Sequence, residues 1–230
     1  MHIKSKKLQA IFLILSVIIC AVAMCFVDAV IKPPYFIKSL IKLSLFLIVP
    51  SIYLFINTEQ RNSFKQLFTF KLKNFLVATS LGFVCYAFIV CGYFLLKNNF
   101  DFSLIAGKLT ENTGVSANNF IYVSIYISFI NSFLEETFFR GFAFVVLKNT
   151  TSLRFACVFS ALLFALYHTG MMIGYYDAGI LALTISGLFV SGLIFNFLND
   201  KSNNIYTSWF VHVFANFGIN TVGFILFGII

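Results

Sequence analysis

The sequence predicts an all-α, polytopic transmembrane helical bundle of about seven spans, with six to eight as the range, and three observations carry that prediction. Hydrophobic residues make up 60% of the 230 and charged residues only 10%, against about 25% charged in soluble domains. The mean hydropathy is +0.94. Apolar runs of about 18 residues or more, the length that crosses a bilayer as a helix, recur along the whole chain. The alternating ten-residue segments of a membrane β-barrel do not.

The runs lie near 8–27, 40–57, 75–96, 120–147, 154–172, 179–198 and 205–230. The first follows Lys4, Lys6 and Lys7, and its Ala21-Val22-Ala23 has the form of a signal-peptidase site. Because the apolar run continues past that site, it reads as an uncleaved anchor. The second follows Pro33 and Pro34 and contains Pro50, which is expected to kink it. The fourth is long and carries Glu135, Glu136 and Arg140. The connecting pieces 58–74 and 97–119 are the longest expected to face water, and neither is long enough to be a domain. One integral membrane domain is therefore expected, with about three spans in residues 1–118 and a site-bearing core in 119–230.

Placing the N-terminus inside puts Lys4, Lys6, Lys7, Arg61, Lys65, Lys71, Lys73, Lys148, Arg154 and Lys201 on one face. The other face holds Lys32, Lys38, Lys97 and Lys108, with Lys42 just within the second span. That asymmetry predicts a multi-pass protein of the cell membrane with a cytoplasmic N-terminus. The net charge of +8 is then positive-inside bias, and the basic stretch 61–73 faces lipid headgroups rather than nucleic acid. Cys20, Cys25, Cys85, Cys91 and Cys157 all lie in apolar segments without metal-like or disulfide-like spacing and read as small hydrophobes.

Six of the eight acidic residues, Asp28, Glu59, Asp101, Glu111, Asp177 and Asp200, fall in loops or at segment ends, and His2 is terminal. The ionisable set inside the spans is Glu135, Glu136, Arg140, His168 and His212. Such groups are expensive in a membrane, at roughly 2.5 to 3.5 kcal/mol each for an acid or Arg on insertion scales. Glu136 and Arg140 are four apart with the acid first, the favourable order for a pair on one helix face. Glu135 points about 100° away and needs another partner, with the Asn131 amide one turn before it. Phe164 and His168 are four apart, as are His212 and Asn216, with Asn220 a turn further on.

For Asn131, Asn196 or Asn220 singly, an interhelical hydrogen bond is a sufficient account. For Glu135, Glu136, Arg140, His168, His212 and Asn216 together, that account requires three helices to carry costly polarity independently. A functional account needs less. Glu135 with His168 has the parts of a general base acting on water, and His212 with Asn216 has donors for an oxyanion, worth roughly 2.7 to 4 kcal/mol each. Base, water and oxyanion donors are the components of amide hydrolysis. An α-helical rise of about 1.5 Å per residue puts Glu135 and His168 deeper than His212, about 20 Å against about 10 Å from the assumed inner ends.

Glu135-Glu136 with Arg140 forms Glu-Glu-x-x-x-Arg, Phe164 with His168 forms Phe-x-x-x-His, and His212 with Asn216 forms His-x-x-x-Asn. In this order on separate apolar segments, they resemble the CAAX protease and bacteriocin-processing family of membrane proteins (CPBP, also called Abi). The resemblance spans Glu135 to Asn216, and residues 1–118 add only a compatible hydropathy pattern. It implies a glutamate-type intramembrane endopeptidase without a metal cofactor. Glu135 and His168 would activate water, His212 and Asn216 would hold the oxyanion, and Glu136, Arg140 and Phe164 would support them. By analogy with bacterial members, the substrate would be a membrane-associated peptide or small protein, such as a bacteriocin, leader peptide or pheromone, in maturation or self-immunity.

Three other readings are open to the same residues. Two His and a Glu could bind zinc, although His-Glu-x-x-His is absent and the residues four before His168 and four after His212 are Phe164 and Asn216. A proton-coupled transporter also uses intramembrane Glu and His, but inverted repeats are not visible. A non-catalytic immunity or scaffold protein would keep its phenotype without Glu135. The sequence assigns no oligomeric state.

Overall fold

The computed structural model describes residues 5–100, 102–174 and 178–230, so His2, Lys4, Asp101 and Asp177 lie outside the described residues. The chain is a helical bundle. Helix α1 (Lys6–Phe26) continues as a π-helical turn over Val27–Ile31 and stops at Lys32, whose φ of 48° is left-handed. Helix α2 (Tyr35–Ile56) begins directly after Pro33-Pro34 and runs through Pro50. Then come α3 (Thr58–Gln66), α4 (Leu72–Leu96) and α5 (Ser103–Thr113). Beyond the site-bearing run described next lie α8 (Leu153–Tyr167), α9 (Thr169–Met172), α10 (Ala178–Ser202) and α11 (Ile205–Leu226).

Among the described residues, six stretches are long and apolar enough to cross a membrane: Lys6–Ile31, Tyr35–Ile56, Leu72–Leu96, Leu153–Met172, Ala178–Ser202 and Ile205–Leu226. Each coincides with one of the seven predicted runs. The remaining run, 120–147, is helical throughout but is not among the six. Its Asn131, Glu135, Glu136 and Arg140 dilute its apolar character, and its second half is buried in protein rather than turned to lipid. It alternates α6 (Phe120–Ile125), a π-helical segment Tyr126–Asn131, α7 (Ser132–Glu135) and a second π-helical segment Glu136–Val146. Every residue from Leu134 to Leu147 is buried. Such π insertions recur at functional sites, and here they occupy the stretch with the charged residues.

Aromatic packing holds this central run. The Phe46 ring of α2 stacks on Phe138 at 4.0 Å and meets Phe139 edge-on at 5.6 Å. Elsewhere in the bundle α11 packs along α4, and α10 along α8. Small residues permit the close approach, as interhelical contacts in membranes require. A Cβ on Gly192 would lie 2.9 Å from Ala161 of α8, and one on Gly82 would lie 2.5 Å from the Phe214 ring of α11. The stretch after α2 is not the free surface strip that its charge suggests. Leu67 is fully buried, its carbonyl accepts from Ile205 N at 2.9 Å, and the Phe64 ring fits against Gly141. Asp28, expected at a segment end, is buried in the π-helical turn, where Lys38 Nζ pairs with it at 2.6 Å.

Candidate active site

The local reason for the site is that α7 and the π-helical segment after it turn Glu135 and Glu136 toward different neighbours. Both are buried, at 2% and 0% exposure. Glu136 faces α11: its Oε1 lies 3.0 Å from His212 Nδ1, and its Oε2 accepts from the Ser208 hydroxyl at 2.5 Å. Ser208 and His212 are four residues apart and so share a face of α11. Glu135 faces α2 and α8. Its Oε1 accepts from Lys42 Nζ, from the Tyr167 hydroxyl, and from Asn131 Nδ2 at 2.9 Å. Its Oε2 lies 3.7 Å from His212 Nε2.

His212 therefore stands between the two carboxylates, which corrects the depth expected from a uniform α-helical rise. The π-helical segment Glu136–Val146 is wound more widely than an α-helix. It climbs less per residue, which narrows the expected gap without closing it, and the packing of α11 directly against α7 and this segment brings His212 the rest of the way.

Arg140 is fully buried, and its Nε sits 3.5 Å from Glu136 Oε1. The expected pair forms as a close ion pair without a hydrogen bond, since none of the three guanidinium nitrogens has a hydrogen-bond partner among the described residues. Aromatic faces take up the cation instead, with Arg140 Cζ 4.0 Å from the Phe164 centroid and 5.0 Å from the Phe195 centroid. Desolvated contacts of this kind are worth about 2 kcal/mol. Phe164 thus earns its place in the second motif by stacking on the arginine of the first. Two carboxylates and two cations, Lys42 and Arg140, occupy one interior.

His168 ends α8 next to Tyr167, their rings 4.2 Å apart. Its Nδ1 lies 2.6 Å from the Phe164 carbonyl. A carbonyl can only accept, so Nδ1 carries a proton, and in the neutral ring Nε2 is then the nitrogen with the lone pair. That Nε2 has no hydrogen-bond partner among the described residues, and the group of α8 that bonds Glu135 directly is Tyr167. Asn216 donates Nδ2 to the Ile127 carbonyl at 3.1 Å, and Asn220 donates to the Ser124 carbonyl at 3.2 Å and to the Ser128 hydroxyl at 3.0 Å. Both amides tie α11 to the first π-helical segment or the turn before it. Asn196 bonds the Cys157 carbonyl at 2.9 Å, the interhelical contact expected of it. Asn131 is more than that, for it bridges Lys42 and Glu135.

Lys42, Tyr167 and Ser208 are the site residues that sequence spacing misses. An intramembrane lysine was a signal in itself, although Lys42 reads equally well as a topology charge. Tyr167 and Ser208 carry no comparable signal.

Residues 117–218 match the family model described as Rce1-like, type II CAAX prenyl endopeptidase. That segment is similar to the Rce1-like family. It is a family of membrane proteases, the one that the three motifs resemble, and the match spans every motif residue from Glu135 to Asn216. Lys42 lies outside the matched Rce1-like segment, on α2. Comparison with curated proteins and with solved structures gives no match.

Between the Rce1-like segment and the helices before it lies a cavity of about 110 Å³, lined mainly by apolar side chains, among them Tyr35, Val123, Ile127 and Met171. Lys32, Lys38 and Asp28 supply its charge. Ile127 belongs both to this lining and to the contact with Asn216.

Proposed function

We propose that this protein is an intramembrane endopeptidase that hydrolyses a peptide bond of a membrane-associated peptide or small protein, with Glu135 and His168 activating water and His212 and Asn216 receiving the oxyanion. The observation that carries the proposal is His212 held between Glu135 and Glu136 in a buried, otherwise apolar interior. In this account Glu135 Oε2 and His168 Nε2 take the proton of a water whose oxygen attacks the scissile carbonyl. The new C–O bond leaves negative charge on the carbonyl oxygen. His212, backed by Glu136, and Asn216, released from Ile127, donate to it. As the C–N bond breaks, the proton taken from water passes to the leaving amine.

The reaction needs no metal ion in this account. The Lys42 ammonium already holds Glu135 Oε1, where a divalent cation would have to compete with it. The apolar cavity beside Ile127 suits a hydrophobic side chain of the substrate. The basic asymmetry of the loops favours a cytoplasmic N-terminus in the cell membrane. Maturation or neutralisation of a small peptide such as a bacteriocin, leader or pheromone is the role we assign by analogy.

The test compares membrane peptide profiles by mass spectrometry from cells expressing wild type, Glu135→Gln or His168→Ala at matched levels. A peptide released only by wild type supports the proposal and names the substrate. Identical profiles with an intact phenotype point to a scaffold or immunity role without catalysis.

A further inference from the structure

The two oxygens of Glu135 are not equivalent. Oε1 accepts from three donors, Lys42 Nζ, the Tyr167 hydroxyl and Asn131 Nδ2, whereas among the described residues Oε2 has only His212 Nε2 at 3.7 Å, beyond hydrogen-bond length. The ammonium of Lys42 is itself fully used. Its three protons go to Glu135 Oε1, to Asn131 Oδ1 at 2.5 Å and to the Tyr167 oxygen at 2.6 Å, and an ammonium has three donors and no acceptor. Asn131 and Tyr167 each bond both Lys42 and Glu135, so the four groups close a network.

The approach of α2 to the site is also specified. Lys38, Lys42 and Phe46 are spaced by four and share one face of α2. Lys38 pairs with Asp28, Lys42 with Glu135, and Phe46 stacks on Phe138. Three successive turns thus fix the register of α2 against its neighbours, and the middle one delivers a cation to the carboxylate. Lys42 is 6% exposed, so it is not a surface charge that happens to reach inward.

We infer that Lys42 is a positioning residue for the hydrolytic reaction, supplied by α2 from outside the Rce1-like segment. By saturating Glu135 Oε1 it fixes the carboxylate plane and leaves Oε2 as the oxygen presented to water beside His212. The inference rests on the reading of Glu135 as the group that activates water. It makes the N-terminal helices part of the active site.

The experiment uses full-length protein and, as substrate, a synthetic peptide spanning the cleavage site found in the wild-type membrane profile. Lys42→Met, Lys42→Gln and Lys42→Arg are compared per folded molecule. Lys42→Gln keeps a polar head group in case Lys42→Met does not fold. Loss of orientation predicts a fall of about a hundredfold in kcat for Lys42→Gln and Lys42→Met with KM nearly unchanged. Lys42→Arg, which keeps the cation, retains most of the rate. Wild-type kcat in Lys42→Gln, or a loss confined to KM, overturns the inference while leaving Glu135 as the base. Absence of any product specific to wild type overturns the protease reading and this inference with it.

Discussion

His212 Nδ1 lies 3.0 Å from Glu136 Oε1 while its Nε2 lies 3.7 Å from Glu135 Oε2, so one imidazole joins two adjacent carboxylates that point to different helices. This relationship separates their roles. Glu136 is enclosed by His212, Ser208 and Arg140 and has no exposed surface, whereas Glu135 has an oxygen without a donor at hydrogen-bond length among the described residues.

The roles differ in stability as well as chemistry. Glu136→Ala leaves Arg140 without its ion-pair partner and takes from His212 the nearer of its two carboxylates, and removing one member of a buried pair costs about 3 to 5 kcal/mol. Arg140→Met leaves Glu136 its bonds to Ser208 and His212 and should cost less, about 1 to 3 kcal/mol. Thermal unfolding in detergent should order the variants as wild type, then Arg140→Met, then Glu136→Ala. Equal midpoints for all three would show that the pair does not hold the helix.

Asn216 and Asn220 make similar bonds from the same face of α11 but should respond differently to substitution. Asn216→Ala should lower cleavage per folded molecule by about 10² to 10³, the effect of losing an oxyanion donor. Asn220→Ala should leave that rate intact and lower stability by about 1 kcal/mol, the scale of an interhelical hydrogen bond. Matching losses of rate in both would mark Asn216 as a structural clamp only.

Phe164→Leu removes the nearer of the two aromatic faces from Arg140 and keeps the apolar volume approximately. A loss of about 1 to 2 kcal/mol is expected, with measurable cleavage by the folded fraction. Complete inactivity at unchanged stability would place Phe164 in substrate contact instead.

Exhaustive chelation should leave cleavage unchanged, because the proposed steps use only carboxylate, imidazole and amide groups. Activity that disappears with chelator and returns with added zinc would move the mechanism to the metal alternative.

The motif contacts were legible in the sequence because their spacing is local. Glu136 with Arg140, Phe164 with His168, and Asn131 with Glu135 are four-residue relationships on helices that hydropathy already locates. Lys42 with Glu135 and Ser208 with Glu136 are separated by 93 and 72 residues, and no periodicity links such pairs. The π-helical winding of Glu136–Val146 was equally hidden. An apolar run gives the same hydropathy signal whether its hydrogen bonds span four residues or five, and it carries no sign of how α11 packs against it, so the relative depth of Glu135 and His212 is not readable from spacing. The seventh run shows the same limit, since helicity was readable but burial inside the bundle was not.

The most direct test of Glu135-dependent proteolysis is an add-back experiment with purified full-length protein in liposomes. Wild type or Glu135→Gln is incubated with detergent-extracted membrane proteins from cells lacking this chain, and new peptide termini are identified by mass spectrometry. The account predicts a defined set of termini with wild type and none with Glu135→Gln. The same termini with both proteins would contradict it.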